Sequence, residues 1–104
     1  MSDRLYNAIG LCMKAGKAAS GAFAVEKAIR SRKARLVLLE SCASESTKEH
    51  YRSMCAYYDV PFRLTDRVGE AIGKPDRIVM AVTDDAFMKM MDGLIAQECT
   101  IGGN

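Results

Sequence analysis

Two short, unbroken apolar stretches constrain this chain more than anything else in it: Leu36-Val-Leu-Leu39 and Ile78-Val-Met-Ala-Val82. A strand that faces water on one side alternates apolar and polar residues, whereas these do not alternate, so both of their faces must be buried. The strands they predict, over residues 35–40 and 77–82, belong in the middle of a sheet covered by helices on both sides. Every other segment has to supply those helices or the sheet's edges.

Helical spacing appears where that requirement needs it. Leu5, Ala8, Ile9 and Cys12 mark one face of a helix over 3–15, stopped by Gly16. Residues 17–20 form a short extended link, and Ser20 is expected to cap a second helix starting at Gly21, with Ala22, Val25, Ala28 and Ile29 as its buried stripe. At 100° per residue, Phe23, Lys27 and Arg30 share a face of that helix that the core does not use. A third helix over 44–58 is capped by Ser44 and turns Tyr51, Met54, Cys55 and Tyr58 inward. Residues 60–64 read as a short strand, with Pro61 suited to its start or to an edge. Asp66 is expected to cap a short helix over 67–72, ended by Gly73, and Lys74-Pro75-Asp76 is the loop before the last strand. Thr83 or Asp84 then caps a final helix carrying Phe87, Met88, Met91, Leu94 and Ile95. The predicted fold class is α/β, a three-layer α-β-α sandwich on a small mixed sheet of about four strands. One domain accounts for residues 1–104, with 1–3 and 98–104 expected to fray.

Hydrophobic residues at 49% and charged residues at 27% match an ordinary folded domain. No window approaches the ~20 apolar residues of a membrane span, and the first residues have no apolar signal core, so a cytoplasmic location without membrane contact is expected. Catalytic signatures are missing. There is no GxGxxG after a strand, no GxxxxGK[ST] and no GxSxG, and the lone His50 sits beside Lys48 and Glu49 on a charged helix face. Cys12, Cys42, Cys55 and Cys99 come no closer than 13 residues to one another, so no CxxC chelate exists and reduced thiols used as small apolar groups are expected. Asp84-Asp85 after a buried strand reads as a helix cap in preference to a magnesium site. No cofactor and no metal are expected. The methionine-rich stretch Phe87-Met88-Lys89-Met90-Met91 reads as core that spills onto the surface.

Charge is lopsided. Residues 1–35 hold eight Lys and Arg against two acids, and residues 36–104 hold seven against eleven. Positive potential therefore gathers wherever the first third of the chain is exposed, which favours a polyanionic partner over none.

The segment Lys17-Ala-Ala-Ser-Gly21-Ala-Phe-Ala-Val-Glu-Lys27-Ala-Ile resembles the signature of the kink-turn-binding ribosomal proteins of the L7Ae/L30e/S12e/Gadd45 family. Leu36–Glu40 is similar to that family's central strand, Tyr57–Phe62 to its helix-to-strand step and Val68–Gly73 to its short helix, and Thr83-Asp84 looks like the bacterial YlxQ-like branch. The resemblance implies an L30e-like fold that places the start of the second helix in an RNA groove at tandem sheared G·A pairs, with the loop before the last strand on a flipped-out nucleotide. It implies an RNA-binding set of Lys14, Lys17, Gly21, Phe23, Lys27, Arg30, Arg32, Lys33, Glu40, Lys74, Pro75 and Arg77. Gly21 admits close backbone approach, the free helical N–H groups attract phosphate, Phe23 offers a stacking surface, and Glu40 is placed to orient Lys27. Two departures stand out. Phe23-Ala24 replaces the Asn-Glu pair that reads base edges in the well-studied members, and Lys74-Pro75-Asp76-Arg77 replaces an apolar loop, so backbone attraction outweighs base readout.

Three functions follow in order: a non-catalytic binder of structured RNA, ribosomal or kink-turn-like and ribosome-associated, monomeric in isolation; a protein-interaction module on the same fold using Phe23 and the Met88/Met90/Met91 region; and a small enzyme using Asp84/Asp85 or Cys42.

Overall fold

The Ser2 hydroxyl accepts the Leu5 amide at 3.2 Å, and from that cap α1 runs Asp3–Lys14 with Leu5, Ala8, Ile9 and Cys12 buried. The structure, a computed structural model, describes residues 1–102, with side chains through residue 97. After α1 come β1 (Ala18–Ser20), α2 (Ala22–Arg30), β2 (Leu36–Glu40), α3 (Glu45–Tyr58), β3 (Phe62–Thr65), α4 (Val68–Ala71), β4 (Val79–Val82) and α5 (Asp85–Gly102).

The sheet order is β1-β4-β2-β3, with β1/β4 and β4/β2 antiparallel and β2/β3 parallel. The two unbroken apolar strands are the central pair, as their composition requires. Leu36, Leu38, Met80 and Val82 point into a core under α1, α4 and α5, built with Ile9, Val68, Met91 and Ile95. Val37, Leu39, Val79 and Ala81 point the other way, against Val25 and Ile29 of α2 and Tyr51 and Cys55 of α3. Successive residues feed opposite cores because strand side chains alternate, which makes this an α-β-α sandwich. Pro61 precedes the edge strand β3, where its missing N–H costs no ladder bond, and its carbonyl accepts the Val37 amide at 2.9 Å.

Several local expectations are corrected. Gly21, not Ser20, occupies the cap position of α2 with no side-chain cap, and Ala22 is exposed; the buried stripe is Val25, Ala28 and Ile29. Arg67, not Asp66, precedes α4, in a left-handed conformation at φ 60°. Asp66 instead pairs with the Met1 ammonium, whose hydrogen bond holds the carboxyl below its usual range. Of residues 1–3, expected to fray, Ser2 caps α1 and Met1 pairs with Asp66. Residues 98–104, expected to fray, lie outside the residues whose side chains are described.

Candidate nucleic-acid interface

The step from β1 into α2 passes through Gly21 at φ 87°, ψ 156°, a backbone conformation that side chains beyond glycine disfavour strongly. Its N–H donates to the Val79 carbonyl at 3.1 Å, which joins the start of α2 to the start of β4. Space is as restrictive as the backbone angle. A Cβ on Gly21 would lie 2.3 Å from Nη1 and 3.1 Å from Cζ of Arg77, so the guanidinium lies directly on the glycine. Two expected site residues far apart in sequence thus meet at the head of α2.

A chain of backbone contacts holds Arg77 there. The Glu40 carboxylate accepts the Val68 amide at 3.0 Å and the Arg67 amide at 3.2 Å, capping α4 from the end of β2. One turn on, a Cβ on Gly69 would come within 2.4 Å of the Arg77 carbonyl, 2.8 Å of that of Lys74 and 2.9 Å of that of Pro75. The loop is therefore folded onto α4 at the one residue that leaves room for it, and the Lys74 amide donates to the Gly69 carbonyl at 2.9 Å. Glu40 acts on α4 and the loop and does not orient Lys27. Gly69 carries a role that sequence reading missed; a glycine inside so short a helix was the available signal.

Along α2 the exposed face faces the edge strand. Phe23 is 82% exposed, Lys27 lies one turn further along the same face, and both line a concavity of about 330 Å³. Its floor is alanine, from Ala19 of β1 and Ala24 and Ala28 of α2, and Lys33 and Thr83 close its far end. The Lys17 carbonyl accepts the Thr83 amide at 2.9 Å, so its backbone passes beside that end.

The remaining expected residues are not gathered here. Arg30 turns to Glu26 at 3.5 Å, and Arg32 stacks over Tyr58 at 5.4 Å from the ring centre. Lys14 lies on α1, in a hollow with Tyr6, Leu11 and Ala71, on the side of the sheet opposite α2. Lys74 and Pro75 are exposed at the loop tip, beside Arg77 rather than beside Lys27. A second hollow of about 490 Å³ lies behind the head of α2, between Arg77, Asp76 and the first turns of α3. There His50 Nε2 sits 3.4 Å from Glu26, and burial first, then Glu26, pushes the Tyr51 hydroxyl up to about 12.

Asp84 accepts the Phe87 amide at 3.0 Å, so it caps α5, while Asp85 pairs with Arg35 at 3.0 Å. Burial pushes both the Cys12 and Cys55 thiols up to about 11, and Cys42 is exposed. Among the described residues no three His, Cys, Asp or Glu side chains gather as a metal site, and no helix is long and apolar enough to cross a membrane.

The family model of the ribosomal protein L7Ae/L30e/S12e/Gadd45 family matches residues 3–91. The RNA-binding protein YlxQ of Bacillus subtilis (strain 168) is 39% identical over 90 residues, covering 84% of this chain and 90% of that protein. The Enterococcus faecium protein of the same name is 39% identical over 96 residues, covering 89% and 92%. A solved structure of a protein with unknown function from Bacillus halodurans superposes with a TM-score of 0.85 at 31% identity, over 91% of this chain and 99% of that one. The Giardia lamblia 15.5kD RNA binding protein shares the fold, with a TM-score of 0.72 at 19% identity over 93% and 89%. By the extent of that match and the identity of those relatives, the chain belongs to the ribosomal protein L7Ae/L30e/S12e/Gadd45 family.

Proposed function

We propose that this chain is a cytoplasmic, monomeric binder of structured RNA, without catalysis, and that the RNA is ribosomal or kink-turn-like. The observation that carries the reading is a single hollow along α2: Phe23, exposed at 82%, with Lys27 one turn on and Lys33 beyond the helix's far end. Lysines and the open N–H groups at the head of a helix attract phosphate, and an exposed ring with no packing role is a contact waiting for a partner. The names of the 39%-identical relatives support RNA as that partner. An exposed phenylalanine also suits a protein surface, and salt separates the two readings. A gel-shift series with a kink-turn RNA and a plain duplex should show binding that weakens roughly tenfold or more from 50 to 200 mM salt, as ~3–5 phosphate contacts demand. A flat salt response, or no binding to either RNA, contradicts the proposal; equal affinity for the two RNAs contradicts its kink-turn part.

A further inference from the structure

We infer that the alanine-floored concavity beside Phe23 is a slot for one unpaired base of the RNA, a reading that rests on the proposed RNA binding and specifies what part of the RNA this face selects. The shape is the first argument. Ala19, Ala24 and Ala28 come from two different elements, and together they leave a floor with no side chain longer than a methyl group. A floor of that kind, about 330 Å³ in extent, leaves room for a flat ring that larger residues would occupy. Phe23 stands at its rim with 82% of its surface in water, although an aromatic ring gains more by burial than almost any other side chain. Nothing among the described residues covers it.

Charge is the second argument. Lys27 and Lys33 bound the same hollow, and among the described residues no acidic side chain lines it. A hollow floored by alanine, with an aromatic ring and two lysines at its rim and the hydroxyls of Ser31 and Thr83 beside them, fits a ligand that is flat and aromatic at one end and anionic at the other. A nucleotide has that chemistry. A base held in a duplex does not present its face, because its neighbours are stacked on it; the slot therefore selects a nucleotide that is bulged or looped out. Phe23 takes the base face and the lysines take the flanking phosphates.

The test uses the full chain and three hairpin RNAs of one stem sequence: fully paired, with a single bulged adenosine, and with an abasic residue at the bulge. The bulged adenosine should bind roughly five- to a hundredfold more tightly than its abasic counterpart, the span expected for stacking one base on an aromatic side chain. Phe23→Ala should erase that ratio while leaving affinity for the paired hairpin nearly unchanged, and Phe23→Trp should keep it. Ala24→Leu provides an independent check, because leucine suits an exposed helix and leaves Phe23 in place yet fills the slot. It too should erase the ratio. In place of the adenosine, 2-aminopurine should change its fluorescence on binding wild type and not on binding Phe23→Ala. Equal binding of bulged and abasic hairpins by wild type overturns the slot while RNA binding stands. So does an equal loss on all three RNAs in Phe23→Ala. Failure to bind any of the three overturns RNA binding and the slot together, and leaves Phe23 to a protein partner.

Discussion

Gly21 illustrates how one residue can carry two constraints with different causes. Its φ of 87° penalises any side chain, and the Arg77 guanidinium occupies the place where a Cβ would stand. Gly21→Ala should cost about 1–3 kcal/mol from backbone strain alone. Adding Arg77→Ala should recover only the steric part, so a double-mutant cycle by chemical denaturation separates the two; full recovery would mean that strain is negligible. The cysteines allow a second test at this scale. Cys12 and Cys55, with thiols near 11, should resist an aromatic disulfide reagent at pH 8 until the chain unfolds, while the exposed Cys42 reacts at once. Because their folded values lie above the ordinary 9.0, the unfolded chain loses these protons first, and stability should decline as pH rises from about 9 to 11. A Cys12→Ala, Cys55→Ala variant should show a shallower decline.

At the scale of elements, β2, α4 and the loop over 74–77 work as one unit. Glu40 ends β2 and caps α4, Gly69 of α4 seats the loop, and the loop delivers Arg77 to the head of α2. Glu40→Ala removes the acceptor for two amides and should destabilise by about 1–2 kcal/mol. Its more specific signature is local: amide exchange over 68–77 should accelerate well before that of β2 or α3, and RNA affinity should fall as the loop that carries Arg77 loosens. Uniform exchange throughout would show that the carboxylate contributes only to global stability. This unit is also where sequence reading stops. The apolar strands and the faces of α1, α3 and α5 follow from periodicity, a local property of the chain. Glu40 was singled out from family resemblance, but its partners lie 27 and 28 residues away, so neither spacing nor charge could reveal them. The pairing of Asp66 is hidden from local pattern for the same reason, since its partner, the Met1 ammonium, lies 65 residues away.

The whole molecule redistributes the charge that the sequence concentrates in its first third. Arg30 and Arg35 are spent on Glu26 and Asp85, Arg32 lies on Tyr58, and Lys14 faces the opposite side of the sheet. What remains on one surface is narrower than composition suggests: Lys27 and Lys33 around the slot, with Arg77 in the neighbouring hollow at the head of α2. Binding through that surface differs from the general attraction of a basic protein to RNA, and Lys27→Ala against Lys89→Ala distinguishes them. Both lysines are exposed on helices, so each change should leave stability within about 0.5 kcal/mol. Titrated against a kink-turn RNA at fixed salt, Lys27→Ala should weaken binding about fivefold or more, the order of one lost charge-assisted contact, and lower the salt slope by about one phosphate. Lys89→Ala, on α5, should bind as wild type does. Equal losses in the two variants at matched stability would contradict the α2 surface as the site and leave only nonspecific charge.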